Sequence, residues 1–171
     1  MGRVKEIIKE LKNNDYRSFD EFYSMTSKLV YYIIAGIIRN KDTVEDLMQD
    51  TYLKFIQNIN SVNPNKNPNA YLAQIAKNLA LNEFKKSKRV VVDDTYFTNL
   101  KDHRYSGDSG IDLGIINHLI GLEKEVVTLK LIGDLKFMEI AVMLDKPLGT
   151  IQWIYNNAIK KLREKVGEEN E

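Results

Sequence analysis

The chain has 171 residues, 43% of them hydrophobic, and 25 Lys+Arg against 24 Asp+Glu, a net charge of +1; this is a globular composition, neither disordered nor fibrous. With no cysteine and only two histidines, it has no disulfide framework, no Cys-ligated zinc and no thiol nucleophile, and a histidine metal centre is not expected. No apolar run approaches the ~20 residues of a membrane span, and Met1-Gly2-Arg3-Val4-Lys5-Glu6 lacks the apolar centre of a secretory signal, so the expectation is a soluble, cytoplasmic protein without cofactor or metal.

Glycine (9) and proline (3) are sparse, and apolar residues recur at helical spacing. Phe19, Phe22, Tyr23, Leu29, Val30, Ile33, Ile34 and Ile37 form one such series. Leu47, Met48, Tyr52, Phe55, Ile56 and Ile59 form a second, and Leu72, Ile75, Ala76 and Leu79 a third. The spacing predicts helices over roughly 3–12, 16–39, 43–59 and 68–87. Asp42, three residues before Glu45, resembles a capping box, and Asn67-Pro68 places a capping residue before a proline that suits the first helical position. Val90-Val91-Val92 is too short to establish a strand. Residues 93–111 lose the periodicity and read as a linker; helical spacing returns from about Asp112 to Val166, and residues 167–171 read as a frayed acidic tail. The fold class is thus all-α, two small helical domains joined by a flexible linker. The second, about 55 residues, has a marginal core of its own.

Charge is uneven along the chain. Residues 61–92 hold Lys66, Lys77, Lys85, Lys86, Lys88 and Arg89 against Glu83 alone, net +5, whereas residues 93–125 are net −4. A local cationic run of this kind neutralises phosphates and releases counterions, although it also suits a solvated helix end. Lys160, Lys161, Arg163 and Lys165 cluster late in the chain.

The segment from Phe137 to Ala158 reads as a helix-turn-helix. Ile140 and Leu144 share a face beside Ala141, whose small side chain permits a close helix crossing. Asp145-Lys146-Pro147 ends the first helix, Asp being able to adopt a left-handed turn. Ile151, Ile154 and Tyr155 give the second helix its apolar side, leaving Thr150, Gln152, Trp153, Asn156 and Asn157 outward. A second helix of this type lies in the major groove, where Gln and Asn match the adenine edge. A plain helical hairpin with a wet polar face has the same spacing.

Two segments of the first domain, Asp42 to Phe55 and Asn69 to Lys86, resemble region 2 of the extracytoplasmic-function sigma factors of bacterial RNA polymerase. Leu122 to Leu131, with the helix-turn-helix and Pro147-Leu148-Gly149-Thr150-Ile151, resembles region 4. The resemblance covers both domains in order, roughly 130 of 171 residues. It implies residues 1–92 as region 2, 93–111 as linker and 112–168 as region 4. It places Asp46, Gln49 and Asp50 on the clamp helices of the largest polymerase subunit, with Leu47 and Tyr52 in the core and the polymerase flap as a further contact. Glu45, Asp46 and Asp50 do fall within two turns and offer a negative patch to a basic partner. It assigns Tyr71, Lys77, Asn78, Asn82, Lys85, Lys86, Lys88 and Arg89 to the −10 element and its flipped base, where cations track a single strand. Phe84 is assigned to the core. It assigns Gln152, Trp153, Asn156 and Asn157 to the −35 element, with Thr150 and Lys160 on phosphates.

The sequence departs from the family where Gln152, Ile154 and Asn157 stand in commonly cationic places, and where Ile120-Gly121-Leu122 lacks the usual proline. The resemblance implies a non-enzymatic initiation factor that binds core RNA polymerase and promoter DNA; family members are often masked by an anti-sigma factor. The alternatives are a stand-alone helix-turn-helix regulator of a duplex operator and a helical adaptor. An enzyme is disfavoured, because His103 and His118 lie in or beside the linker without a carboxylate constellation.

Overall fold

The computed structural model describes residues 2–63, 65–90 and 113–169, and every regular element among them is helical. The linker of 93–111, with His103, lies outside the described residues. α1 (Gly2–Lys12) buries Val4, Ile7, Ile8 and Leu11, the i, i+3, i+4, i+7 stripe of a helix lying on a core. Arg3 ties it to the next helix through Glu21, at 2.6 Å. A turn with Asn14 at φ 59° leads to α2 (Phe19–Ala35). This helix is shorter than the predicted 16–39, because Ile37 and Ile38 continue the apolar pattern from a non-helical turn that still packs on the core.

α3 (Lys41–Gln57) begins at Asn40, whose side chain accepts from the Thr43 N–H at 2.9 Å. The cap is therefore Asn40, not the expected Asp42, which lies in the first turn where its charge suits the helix dipole. A short 3-10 turn, Ile59–Ser61, leads toward α4 (Pro68–Val90). There the expected start holds: the Asn67 side chain accepts from the Asn69 N–H at 3.1 Å, and Pro68 is the first helical residue. Val90 is the last residue of α4 rather than the start of a strand; Val91 and Val92 lie outside the described residues.

The three longer helices of this bundle close on aromatic rings. Phe22 stacks on Phe55 with centroids 5.0 Å apart, and Tyr52 meets Phe22 edge-on at 6.1 Å. The Thr26 hydroxyl donates to the Phe22 carbonyl (2.7 Å) and so accepts from the Tyr52 hydroxyl (2.8 Å), which satisfies a buried polar pair between α2 and α3. Ala73, Ala76 and Ala80 are completely buried on α4, and their small size lets it approach α2 and α3 closely.

The C-terminal unit is more broken than its periodicity predicts. A 3-10 turn (Leu113–His118) precedes α5 (Gly121–Val127), which Gly121 enters at φ 54°. One π turn follows directly (Thr128–Ile132), closed by the Gly133 N–H on the Thr128 carbonyl at 3.1 Å. α6 (Phe137–Met143) and α7 (Leu148–Glu169) complete the chain. Asp134 (φ 52°) and Asp145 (φ 50°) take left-handed turns at either end of α6, the second as the sequence predicts. α7 continues through Gly167 to Glu169 instead of fraying; one glycine costs a helix only about 1 kcal/mol.

The two units share an apolar core. Val126, Leu129, Leu135, Ile140, Ala141, Ile151 and Ile154 join the same cluster as the residues of α1–α4. The π turn lies against α2 and α6 against α4. A second, smaller cluster of Ile116, Leu119, Val127, Ala158 and Leu162 holds α7 to α5 and the preceding turn.

Replacing Asn40 by Ala should lower stability by about 1 kcal/mol, and Asn40→Asp should retain most of it. Equilibrium urea unfolding of the two variants measures both.

Candidate functional site

Three polar surfaces are built by these helices. The first is on α3. Val44, Leu47, Met48, Thr51, Tyr52 and Phe55 turn inward, which leaves Asp46, Gln49 and Asp50 exposed at i, i+3, i+4 on the opposite face. Glu45 pairs with Lys41 at 3.8 Å, but Asp46 and Asp50 form no ion pair among the described residues. Leu53 is 59% exposed one turn beyond Gln49 and Asp50. Sequence reasoning missed it, because an apolar residue in an apolar-rich helix reads as core; its place on the acidic face of α3 was the available signal.

The second surface runs along α4. Asn78 and Asn82 are exposed, followed by exposed Lys85, Lys86 and Lys88 in the last turns. Arg89 lies within α4, but its side chain is outside the described residues. Lys85 and Lys86 form no ion pair among the described residues, and Lys88 sits over the Phe84 ring, 4.7 Å from its centroid. Phe84 is half-buried against the core, as expected. Gln74 donates to Asn78 Oδ1 at 2.9 Å and so holds that amide one turn away; no motif or spacing singled out Gln74.

Two members of the expected set sit differently. The ring of Tyr71 is half-buried, 6.0 Å from Phe55, and packs on the core. Lys77 is held by Glu125 of α5 at 2.7 Å, its side chain only 19% exposed.

The third surface is on α7. Ile151 and Ile154 are buried and Tyr155 is half-buried, its ring edge-on to Phe137 at 5.1 Å, so α7 crosses α6 on these residues and on Ala141. Thr150, Gln152, Trp153, Asn156 and Lys160 are exposed on the far side; Asn157 is half-buried at its margin. Ile154, at 7% exposure, faces the core, so only Gln152 and Asn157 of the three places lacking a cation bear on the outward face. Lys161, from the late basic cluster, is paired with Glu123 of α5 at 2.6 Å. Lys124 beside it is pushed below the ordinary lysine range by burial, and donates to Asn117 at 3.0 Å.

Among the described residues no group of His, Asp and Glu is placed to hold a metal ion, and no helix is long and apolar enough to cross a membrane. The three surfaces are an anionic face, a cationic helix end and a polar helix face, each on a different helix.

Comparison with known proteins gives these surfaces a context. Residues 22–90 match the family model of sigma-70 region 2. The chain is similar to the extracytoplasmic-function RNA polymerase sigma factor SigW of Bacillus subtilis, 23% identical over 95% of this chain and 96% of that protein. It is also similar to BldN of Streptomyces coelicolor, 26% identical over 94% of this chain and 65% of that protein, so it spans just under two thirds of that relative. Among solved structures it shares its fold with the sigma factor RpoE of Bartonella quintana in complex with the anti-sigma factor NepR, with a TM-score of 0.65 and 22% identity over 88% of this chain and 98% of that one. It shares the fold also with CnrH in complex with the cytosolic domain of CnrY, with a TM-score of 0.60 and 16% identity over 96% and 97% of the two chains.

Trp153 is the single tryptophan of the chain and is 66% exposed. Its emission should be red-shifted and quenched by acrylamide nearly as strongly as a free indole. A blue-shifted, protected signal would show α7 covered in solution.

Proposed function

We propose that the chain is an extracytoplasmic-function sigma factor of the sigma-70 family, a transcription initiation factor and not an enzyme, which binds core RNA polymerase through α3 and promoter DNA through α4 and α7. In this reading residues 1–92 are region 2, 93–111 the linker and 112–168 region 4. The observation that carries it is the placement of an exposed acidic face (Asp46, Gln49, Asp50), without an ion pair among the described residues, and an exposed cationic run (Lys85, Lys86, Lys88) on neighbouring helices within the region-2 match.

The division of labour follows from charge. Asp46 and Asp50 attract the basic clamp helices of the largest polymerase subunit and steer association. The cations of α4 track the −10 single strand, while Asn78, fixed by Gln74, offers an amide to an extruded base. No bond is made or broken by the protein: the duplex opens because the separated strand gains contacts that the duplex lacks. On α7, Gln152 and Asn156 read −35 base edges beside Trp153, with Thr150 and Lys160 on phosphates. An anti-sigma factor, as NepR is in its complex with the Bartonella protein, is a further expected partner. The sparse cations of the α7 face speak against a stand-alone operator binder, which needs phosphate contacts for duplex affinity without polymerase.

Transcription with purified core enzyme on a genomic fragment library tests the whole reading; no initiation above core alone would refute it. Changing Lys85, Lys86, Lys88 and Arg89 together to Ala should abolish promoter binding yet spare polymerase capture. Asp46→Arg should do the reverse, weakening core binding by at least about 2 kcal/mol, roughly thirtyfold in Kd, as read by titration. Gln152→Ala and Asn156→Ala should each cost about 1–3 kcal/mol of discrimination at one −35 position, measured by promoter-library selection.

A further inference from the structure

Gln74 and Asn78 stand one turn apart on α4, and side chains so spaced lie on one face of a helix. Gln74 Nε2 donates to Asn78 Oδ1 at 2.9 Å. Gln74 is half-buried, whereas Asn78 is exposed. The bond therefore runs from the better anchored amide to the open one.

An amide has an acceptor at one end and two donor hydrogens at the other, and a free asparagine turns whichever end a ligand requires. The bond to Gln74 removes that choice. Turning the Asn78 amide over would set its NH2 against the NH2 of Gln74, donor against donor. Oδ1 thus stays toward Gln74, and the Nδ2 hydrogens, without a partner among the described residues, are what Asn78 has left to offer. Only a joint turn of both amides reverses this, and it would move the bonded N–H from Gln74 to Asn78. For a base the consequence is selective. Thymine and guanine carry a carbonyl oxygen where cytosine and adenine carry an amino group. A fixed donor pairs with the carbonyl and meets the amino group as a second donor.

We propose that Gln74 is a positioning residue for −10 specificity: by holding Asn78 Oδ1 it presents Asn78 as a donor, so that the extruded base is thymine or guanine in preference to cytosine or adenine. The proposal rests on the reading of Asn78 as facing that base. Gln74 itself touches no base, and its effect passes entirely through Asn78.

Two measurements test it. The first needs no DNA. In heteronuclear NMR of the free full chain, one Nε2 proton of Gln74 should be shifted downfield and protected from exchange, while the Asn78 side-chain amide behaves as an exposed one. In Gln74→Glu the carboxylate only accepts, so the Asn78 amide must turn over and take the downfield shift itself. If wild-type Asn78 already carries that shift, the bond runs the other way and the proposal is overturned. The second measurement is initiation by holoenzyme on promoter variants with each base at each −10 position. At the position that responds to Asn78→Ala, the wild type should favour thymine or guanine by about tenfold. Gln74→Met, of similar length but without a donor, should bring the ratio toward parity, and Gln74→Glu should reverse it. Its added negative charge weakens DNA binding to every base alike and cancels in the ratio. A wild-type preference for cytosine or adenine there overturns the proposal, as does a ratio that Gln74→Glu leaves unchanged. Asn78→Ala reports on the premise: if it alters the base ratio at no −10 position, Asn78 faces no base, and that reading has failed whatever the NMR shows.

Discussion

The C-terminal unit cannot bury its apolar face alone, and that constraint organises the molecule. Val126, Leu129, Leu135 and Ile140 are sealed only because α2 and α4 supply the other wall. A unit of this size leaves a large share of its surface wet, so sharing a core with the larger bundle is the available route to burial. Where it docks then follows from geometry at one glycine. Gly133 lets Leu29 come close, the Gly133 carbonyl faces Asn69, and the next residues bring Asp134 and Glu139 to Asn67. The orientation of α7, and with it the outward direction of Gln152, Trp153 and Asn156, is set from that docking surface through α6.

α4 is the helix on which the roles converge. One side, with Leu72, Ala73, Ala76 and Ala80, is core. Its first turns and Lys77 face the C-terminal unit, and its last turns project cations. A helix of 23 residues has room for all three because its surfaces follow one another along the axis as well as around it. The same arrangement explains why the local charge of +5 in residues 61–92 overstates what is free: Lys77 is neutralised by a residue 48 positions away, and Lys88 lies on an aromatic ring.

The amino-acid pattern carried the helices of the first bundle because each has a long buried stripe, and Asn67-Pro68 marked a helix start in purely local chemistry. It misled where packing, not hydrogen bonding, maintained the period. Ile37 and Ile38 are apolar and in phase, yet they lie in a turn. Asp42 has the right type for a cap, but Asn40 reaches the Thr43 N–H first. The π turn at Thr128–Ile132 left no local signature; it packs against α2. On the site, the acidic and cationic faces were legible from spacing and charge. The pairing of Lys77 with Glu125 and the inward turn of Tyr71 were not, because both depend on contacts between segments far apart in the chain. Family resemblance assigned the roles; spacing alone left a wet helical hairpin open as an alternative for residues 137–158.

The two left-handed aspartates that bracket α6 restrict which sequences can inherit this fold. A short helix has little say over its own direction, so the backbone hand at positions 134 and 145 aims it. Glycine or asparagine tolerates that hand, whereas valine, isoleucine or threonine resists it. Sequence drift at these two exposed sites is thus confined to a narrow alphabet by torsion alone, and both positions would look invariant for reasons unrelated to any role in binding.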